Sequence, residues 1–556
     1  MIERMTLQFG SSADQPPLAF DVTPVTVFVG PNNSGKSKII SEIYAQCAEG
    51  QPIQSDVILK ELTFRALSGE GAETAVGKIT LPDLKGEAVP LDHLIVGRRG
   101  QRRQVHLASL LNAMKNPNDP HIRHQYAAWF LTYRTLVLNG RSRIDLVNDQ
   151  PGGDLQQPPH TSFQQLFRDD AMRARLSAAV RQALGSYAVL DPTNLGTLRL
   201  RLSANEPPSP AIERGLEDAS LKFHAAATHI ADASDGAKAF IGILAEILAG
   251  DPEILLMDEP EAFLHPALAF TLGHEVAQSL SKSSKRMFVS THSPQFLMGC
   301  IQSGIPINVV RLTYRNGVAT ARLLPSEELI RLMRNPLLRS TGVISALFYE
   351  SVAVTEGDAD RAFYQEINER LLRVGRGIPN CVFLNAQNKQ TIPTIIGPLR
   401  RLGIPAAAIY DIDFVKDGAS VATRFMETAG VPQIAQQGMT ITRSALKLAL
   451  ETSDRTYKKA GGIDVLSNAD KRAADDYFDQ LDAYGAFVVR RGELESWLKI
   501  LGVNEHGPNW LIKIFELLGE DPNSDDYIEP DDDDVWVFLD YISKWLLDPD
   551  RKGIPA

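Results

Sequence analysis

Residues 30–37 read Gly30-Pro31-Asn32-Asn33-Ser34-Gly35-Lys36-Ser37, and this segment decides the fold. It has the pattern GxxxxGK[ST]. Its surroundings meet the two conditions that give the pattern meaning: Val25 to Val29 (VTVFV) is a continuous apolar run suited to a buried parallel strand, and Lys36 to Ala48 reads as a helix. Strand, glycine-rich loop and helix in that order turn backbone N–H groups and the positive end of a helix toward one point, which suits a phosphate. On this reading Asn32, Asn33, Ser34, Gly35, Lys36 and Ser37 bind ATP. Lys36 sets its ammonium on the β/γ oxygens, and Ser37 ligates Mg²⁺.

Working outward, Ile254 to Pro260 reads ILLMDEP. Asp258 ends an apolar strand and is expected in the Mg²⁺ shell, and Glu259 follows it, placed to orient the attacking water. A further strand, Met287 to Ser290, leads into Thr291-His292-Ser293-Pro294, so His292 is expected to touch the γ-phosphate. Phe240, Ile241, Leu244, Ile247 and Leu248 share one helical face that Gly250 ends. Strands alternating with helices predict an α/β domain. This set resembles the ABC-type ATPase heads of the chromosome-maintenance and DNA-repair branch, over roughly residues 1–313 apart from an insertion. The resemblance implies that Ser234-Asp235-Gly236-Ala237-Lys238 is the signature loop, with Ser234 and Gly236 capping ATP held by another subunit. Glu261 to Pro266 looks like the loop after the catalytic glutamate. A homodimer or higher homo-oligomer through the heads follows. Arg141 and Arg143 lie where that family carries a glutamine-bearing loop, with a plain structural role as the alternative.

A second acidic set follows. Val354-Thr355-Glu356-Gly357-Asp358-Ala359-Asp360 puts Glu356 at a strand end and Asp360 in the first helical turn, while Asp411 and Asp413 end another strand with side chains on one side. Converging carboxylates repel one another unless cations sit between them, and hard oxygen ligands favour Mg²⁺ or Mn²⁺. Two such ions about 4 Å apart activate water and stabilise the leaving oxygen of a phosphodiester. The order Glu-Gly-x-x-Asp, strand, helix, strand, DxD resembles the Toprim fold of topoisomerases, primases and certain nucleases. In those nucleases a further acidic residue follows a later strand; Glu493 and Glu495 stand there, with Glu495 preferred. A late lysine is also implied, with Lys513 and Lys544 as candidates. Asn385 to Lys389 departs from the family's usual residues and leaves the roles of Asn388 and Lys389 open.

Composition bounds the rest. A chain of 556 residues exceeds one core, and a net charge of −11 argues against a generally basic DNA-coating protein while allowing a local basic groove. The basic clusters are Arg98, Arg99, Arg102 and Arg103; Arg400 with Arg401; and Arg490 with Arg491. The cysteines are three, Cys47, Cys300 and Cys381, with no CxxC pair, which suits a reducing cytoplasm. No uncharged apolar run approaches the ~20 residues of a membrane span, and the N-terminus is not a signal peptide.

The predicted fold class is α/β: an ABC-type P-loop ATPase domain over 1–345 with a helical, dimerising insertion at 51–220, then a smaller parallel-sheet Toprim domain over 346–505 with an insertion at 415–479. A C-terminal helical segment with an acidic loop occupies 506–556. An ATPase head and a Toprim domain on one chain resemble the OLD (overcoming lysogenization defect) family, whose members include the Gabija nuclease and retron-associated anti-phage effectors. The resemblance implies an ATP-regulated DNA endonuclease or nickase in prokaryotic defence. Its metals would be held by Glu356, Asp360, Asp411, Asp413 and Glu495. Its partners would be DNA and a helicase, reverse transcriptase or retron nucleic acid. The alternative is an ATP-driven DNA-binding scaffold with a silent Toprim domain.

Overall fold

The computed structural model describes residues 1–50, 56–84, 86–98, 101–281, 283–340, 342–416 and 419–554. The chain divides into two compact units, Met1–Ile330 and Arg331–Ala556.

In the first unit the elements that carry the argument are β1 (Val25–Val29), α1 (Lys36–Glu49), β2 (Thr135–Leu138), α2 (Asp235–Ala249), β3 (Ile254–Asp258), α3 (Pro266–Leu280), β4 (Arg286–Ser290), α4 (Pro294–Gln302), β5 (Ile307–Arg315) and β6 (Val318–Leu324). The strands form one sheet in the order β6-β5-β1-β4-β3-β2. All neighbours are parallel except β5 and β6. Every residue of β1 is buried, because helices and a second sheet cover both faces; hence the unbroken apolar run in place of alternation. The register pairs Asp258 with Ser290 and Ser290 with Phe28. The loop after β1, the turn after β3 and the turn after β4 therefore leave the sheet at one edge.

Residues 51–220 hold strands as well as the expected helices: Leu59–Phe64, His93–Arg98, Gln101–His106, Tyr187–Asn194 and Thr197–Ser203 lie there, and β2 closes one edge of the parallel sheet. Leu59–Phe64 pairs with Ile2–Leu7 and shares a core with Phe28, Ile39 and Ile43. A four-residue strand such as Thr135-Leu136-Val137-Leu138, entered directly from a helical stretch, has too few residues to show a period of two.

The second unit is built on β7 (Ser351–Thr355), α5 (Asp358–Arg373), β8 (Cys381–Asn385), α6 (Ile392–Arg401), β9 (Ala406–Asp411), α7 (Gln433–Ser453), α8 (Tyr457–Ala460), α9 (Asn468–Asp482), β10 (Ala486–Val489), α10 (Pro508–Leu518) and α11 (Asp534–Leu547). Its four strands are parallel in the order β8-β7-β9-β10. The C-terminal helices share the sheet's core: Trp510, Trp536, Leu539 and Ile542 pack with Phe363, Ile367, Phe487 and Trp497. Each large aromatic there buries about 150–250 Å², worth roughly 4–6 kcal/mol before entropy is counted. The helix expected over Glu493 to Leu501 is absent. Two 3-10 turns, Leu494–Ser496 and Lys499–Leu501, stand in its place. Leu498 between them is left-handed (φ 52), and its N–H is taken by the Asp534 carboxylate at 2.7 Å, which breaks any helical register.

Candidate nucleotide and metal sites

The nucleotide site is assembled at the edge where β1, β3 and β4 end. Gly35 caps α1 without a side chain, so the first-turn N–H groups have no local competitor. Lys36 is buried, and its ammonium donates to the carbonyls of Gly30 (2.8 Å) and Pro31 (2.6 Å). Burial pulls its pKa down to about 8, with Glu259, Asp258 and Glu261 acting in the other direction. Ser34 Oγ is buried with no partner among the described residues, whereas Asn32, Asn33 and Ser37 are exposed. A buried hydroxyl without a partner and a lysine ammonium held against the loop at a helix N-terminus fit a polyphosphate.

Opposite the loop, Ser290 Oγ donates to Asp258. Glu259 adopts a left-handed backbone (φ 51), held by its N–H on Ser290 O (2.9 Å) and by the Arg143 guanidinium donating to its carbonyl. Arg143 thus takes the structural role, and Arg141 is exposed. His292 Nε2 lies 3.4 Å from Glu259 Oε1, and burial, then the Lys36 charge, lowers its pKa. The reading of the sequence missed Glu261 as a support. Its carboxylate accepts from Thr291 Oγ1 (2.8 Å) and His292 N (2.7 Å), clamping the turn that carries His292. Burial raises its pKa. Ser234 caps α2, accepting from Ala237 N at 3.3 Å, and is exposed. Gly236 is buried against the following loop: a Cβ there would sit 2.6 Å from Phe263 O.

The second site sits where β7 and β9 end. Carboxylate oxygens of Glu356, Asp411 and Asp413 all lie within 4.8 Å of one another. Glu356 Oε1 accepts from Asp411 N at 2.9 Å, which ties the two strand ends together. Burial, then the Asp411 charge, raises Glu356 to about 8, and burial raises Asp411 to about 7. Burial opposes ionisation of Asp413 too, yet the Lys389 hydrogen bond and the Lys458 charge outweigh it and hold that carboxyl below its ordinary range. Lys389 Nζ is 2.9 Å from Asp413 Oδ1, which settles its place in the structure. Three hard oxygen donors at this spacing, two of them reluctant to ionise without added positive charge, fit a divalent cation.

Asp360 and Glu495 are not in that triad. Asp360 caps α5, accepting from Gly357 N at 3.0 Å, and its pKa is raised by burial, with the Glu495 charge adding to the rise. Glu495 accepts from Gly507 N at 2.9 Å. Glu493 reaches the cluster through Lys458, whose Nζ is 3.3 Å from Glu493 Oε2. Lys458, in the helical insertion, was not anticipated; nothing in its sequence neighbourhood distinguishes it from a surface lysine. Lys513 pairs with Glu516 on an exposed face, and Lys544 lies over Tyr541. The basic clusters are largely consumed internally: Arg98 pairs with Glu246, Arg102 with Glu87, and Arg490 with Asp475, Asp479 and Asp482, while Arg400 is buried. Arg99 lies outside the described residues.

The fold and these sites define a P-loop ATPase domain followed by a Toprim domain of the nuclease type. Two family models match the chain: "AAA domain, putative AbiEii toxin, Type IV TA system" over residues 197–298, and "Overcoming lysogenization defect protein-like, TOPRIM domain" over residues 347–413. In this order on one chain they support an OLD-family ATPase–Toprim fusion. The first stretch includes Asp258, Glu259 and His292, and the second includes Glu356, Asp411 and Asp413. No curated protein matches the sequence. Similar solved structures include an Smc head bound to the C-winged helix domain of ScpA (15% identity, 59% of this chain and 99% of that one, TM-score 0.34). Others are the SMC head domain from Thermotoga maritima (16%, 58% and 99%, TM-score 0.30) and the Smc head with an extended coiled coil bound to the C-terminal domain of ScpA from Pyrococcus furiosus (13%, 60% and 98%, TM-score 0.32).

Proposed function

We propose that the protein is an ATP-regulated, divalent-metal-dependent DNA endonuclease or nickase acting in prokaryotic anti-phage defence. The observation that carries this is the meeting of Glu356, Asp411 and Asp413 within 4.8 Å at the end of a parallel sheet, on a chain whose other unit holds a phosphate-binding loop. Magnesium or manganese held by these three carboxylates, with Asp360 and Glu495 behind them, would supply the charge that activates water at a phosphodiester. The chain's own residues position that chemistry. Glu356 is locked to the Asp411 backbone, and Lys389 and Lys458 keep positive charge at the rim, where a polyanion arrives. At the nucleotide site Lys36 and Ser37 bind phosphate and Mg²⁺, Glu259 orients the water, and His292 reads the γ-phosphate. Ser234 and Gly236 close on ATP bound to a second copy, which makes the working form a homo-oligomer. The defence role rests on the two matching families, one described by an overcoming-lysogenization-defect-like protein and the other by the AbiEii toxin–antitoxin system.

The test is a supercoiled plasmid incubated with Mg²⁺ or Mn²⁺ and ATP, beside Glu356→Ala and Asp411→Ala. Wild type is expected to nick, and both variants are expected to leave the plasmid supercoiled. A wild type that never nicks under any nucleotide or metal condition overturns the reading. One observation favours a second reading, a DNA-binding ATPase scaffold with a silent Toprim domain: Lys389 and Lys458 already offset part of the carboxylate charge. It predicts DNA retention without cutting, unaltered in the two variants.

A further inference from the structure

We infer that Lys458, carried by the insertion between β9 and β10, is a catalytic residue of the cutting site, its ammonium meeting the scissile phosphate at the rim of the carboxylate cluster. The inference rests on the nuclease reading above. The lysine's Nζ lies 3.0 Å from Asp411 Oδ2, 3.4 Å from Asp413 Oδ2 and 3.3 Å from Glu493 Oε2. It therefore joins the acidic residues after β9 to the one after β10. Its side chain keeps 30% of its surface exposed, so one side faces solvent.

The backbone around it is seated more closely than a surface loop requires. A Cβ on Gly492 would stand 2.2 Å from Lys458 O, and one on Gly462 would stand 2.0 Å from Arg490 O. Ile463 N donates to Arg490 O, and Ile412 N, between the two aspartates, donates to Gly492 O, both at 2.9 Å. The segment bearing Lys458 is thus pressed onto the loop after β10, and that loop is bonded to the chain between Asp411 and Asp413. The ammonium is registered to the carboxylates through main chain on both sides. Beyond it, a cleft of about 240 Å³ is lined by Lys459, Lys499 and His506 together with Glu493, Glu495 and Glu505. A cation fixed at the mouth of an acidic cluster, one side open to solvent, suits a phosphoryl oxygen of a phosphodiester arriving there.

The hydrolysis consumes one water. The water oxygen forms the new P–O bond, the P–O bond to the departing sugar oxygen breaks, and that oxygen ends protonated. Lys458 keeps its proton throughout and acts by charge on the phosphoryl oxygens, whose negative charge grows as the bond breaks.

The experiment compares full-length wild type, Lys458→Met and Lys458→Arg in plasmid nicking with Mn²⁺, together with Mn²⁺ titration followed by electron paramagnetic resonance. Lys458→Met removes charge at nearly constant length. Its nicking rate is expected to fall about 100-fold while its Mn²⁺ affinity rises roughly tenfold, because a cation beside the metal ligands is gone. Lys458→Arg is expected to regain part of the rate, and Lys513→Ala should nick as wild type does. Nicking by Lys458→Met within threefold of wild type overturns the inference and leaves the nuclease reading standing. Loss of Mn²⁺ binding in both Lys458 variants assigns the residue a merely structural role and also overturns it. A wild type that never nicks removes the reading and the inference together.

Discussion

The phosphate loop of the first unit and the carboxylate cluster of the second both stand at the C-terminal ends of parallel strands, yet they are built in opposite ways. Residues 30–37 form one consecutive segment whose chemistry lies mainly in its backbone, and its ligand is an anion. The second site draws side chains from the ends of β7 and β9, from the loop after β8 and from an inserted helix, and its carboxylates suit a cation. A backbone cradle is preorganised by local chain geometry. A cluster of like charges is held only by the surrounding fold, and it stays reluctant to ionise until positive charge arrives.

The largest expected effect is a clean separation of the two sites. Lys36→Ala should abolish ATP turnover, a loss of 10³-fold or more on the order of a missing charge clamp, while leaving Mn²⁺ binding by the second unit unchanged. Asp411→Ala should do the reverse. If either substitution disables both measurements, the two sites are not independent in their binding chemistry and the contrast breaks.

Next in size is a packing test. Trp510 is fully buried among the aromatics that join α10 to the sheet. Trp510→Ala should cost about 3–5 kcal/mol and lower the melting transition of the second unit, with the metal site lost alongside it. An unchanged transition would show that the C-terminal helices are dispensable to the site.

The pH dependence sharpens the difference. Glu356 and Asp411 are raised to about 8 and about 7 from ordinary values of 4.5 and 3.8. Raised carboxyl values mean that the folded form holds these protons more tightly than the unfolded chain. Their contribution is therefore complete below the ordinary values and is lost as pH climbs through 7 to 8. Metal-free protein should melt at a lower temperature at pH 8.5 than at pH 6, with Glu356→Gln together with Asp411→Asn flattening the slope. Mn²⁺ should bind more tightly over the same rise, because it displaces protons. A Mn²⁺ affinity independent of pH would contradict the burial argument.

The smallest effects are expected at Lys513→Ala and Lys544→Ala, each changing nicking less than twofold, since Lys513 pairs with Glu516 and Lys544 lies over Tyr541. A tenfold loss at either would return the late lysine to the C-terminal helices.

Legibility followed the same divide. Val25–Val29, Ile254–Asp258 and Ser351–Thr355 are short apolar runs that lead into the site segments, and a run buried on both faces announces itself without partners. Glu259 and His292 were readable because each follows such a run directly. Glu261 was not, because its value lies in two hydrogen bonds to the turn after β4, 30 or so residues away in sequence. The helix expected after β10 failed because one carboxylate, Asp534, takes the Leu498 N–H from a distant segment.

The order of residues alone determined the two parallel-sheet units, the phosphate loop and the pair of strand ends that carry Glu356, Asp411 and Asp413. These depend on local runs of side chains and on spacing along one chain. Only the tertiary structure decided that Lys389 and Lys458 join the carboxylates, that Glu495 bonds Gly507 instead, and that Arg102 and Arg490 pair with carboxylates of their own unit. A long flexible side chain reaches in several directions from its backbone, and which charge it meets is set by the elements packed around it.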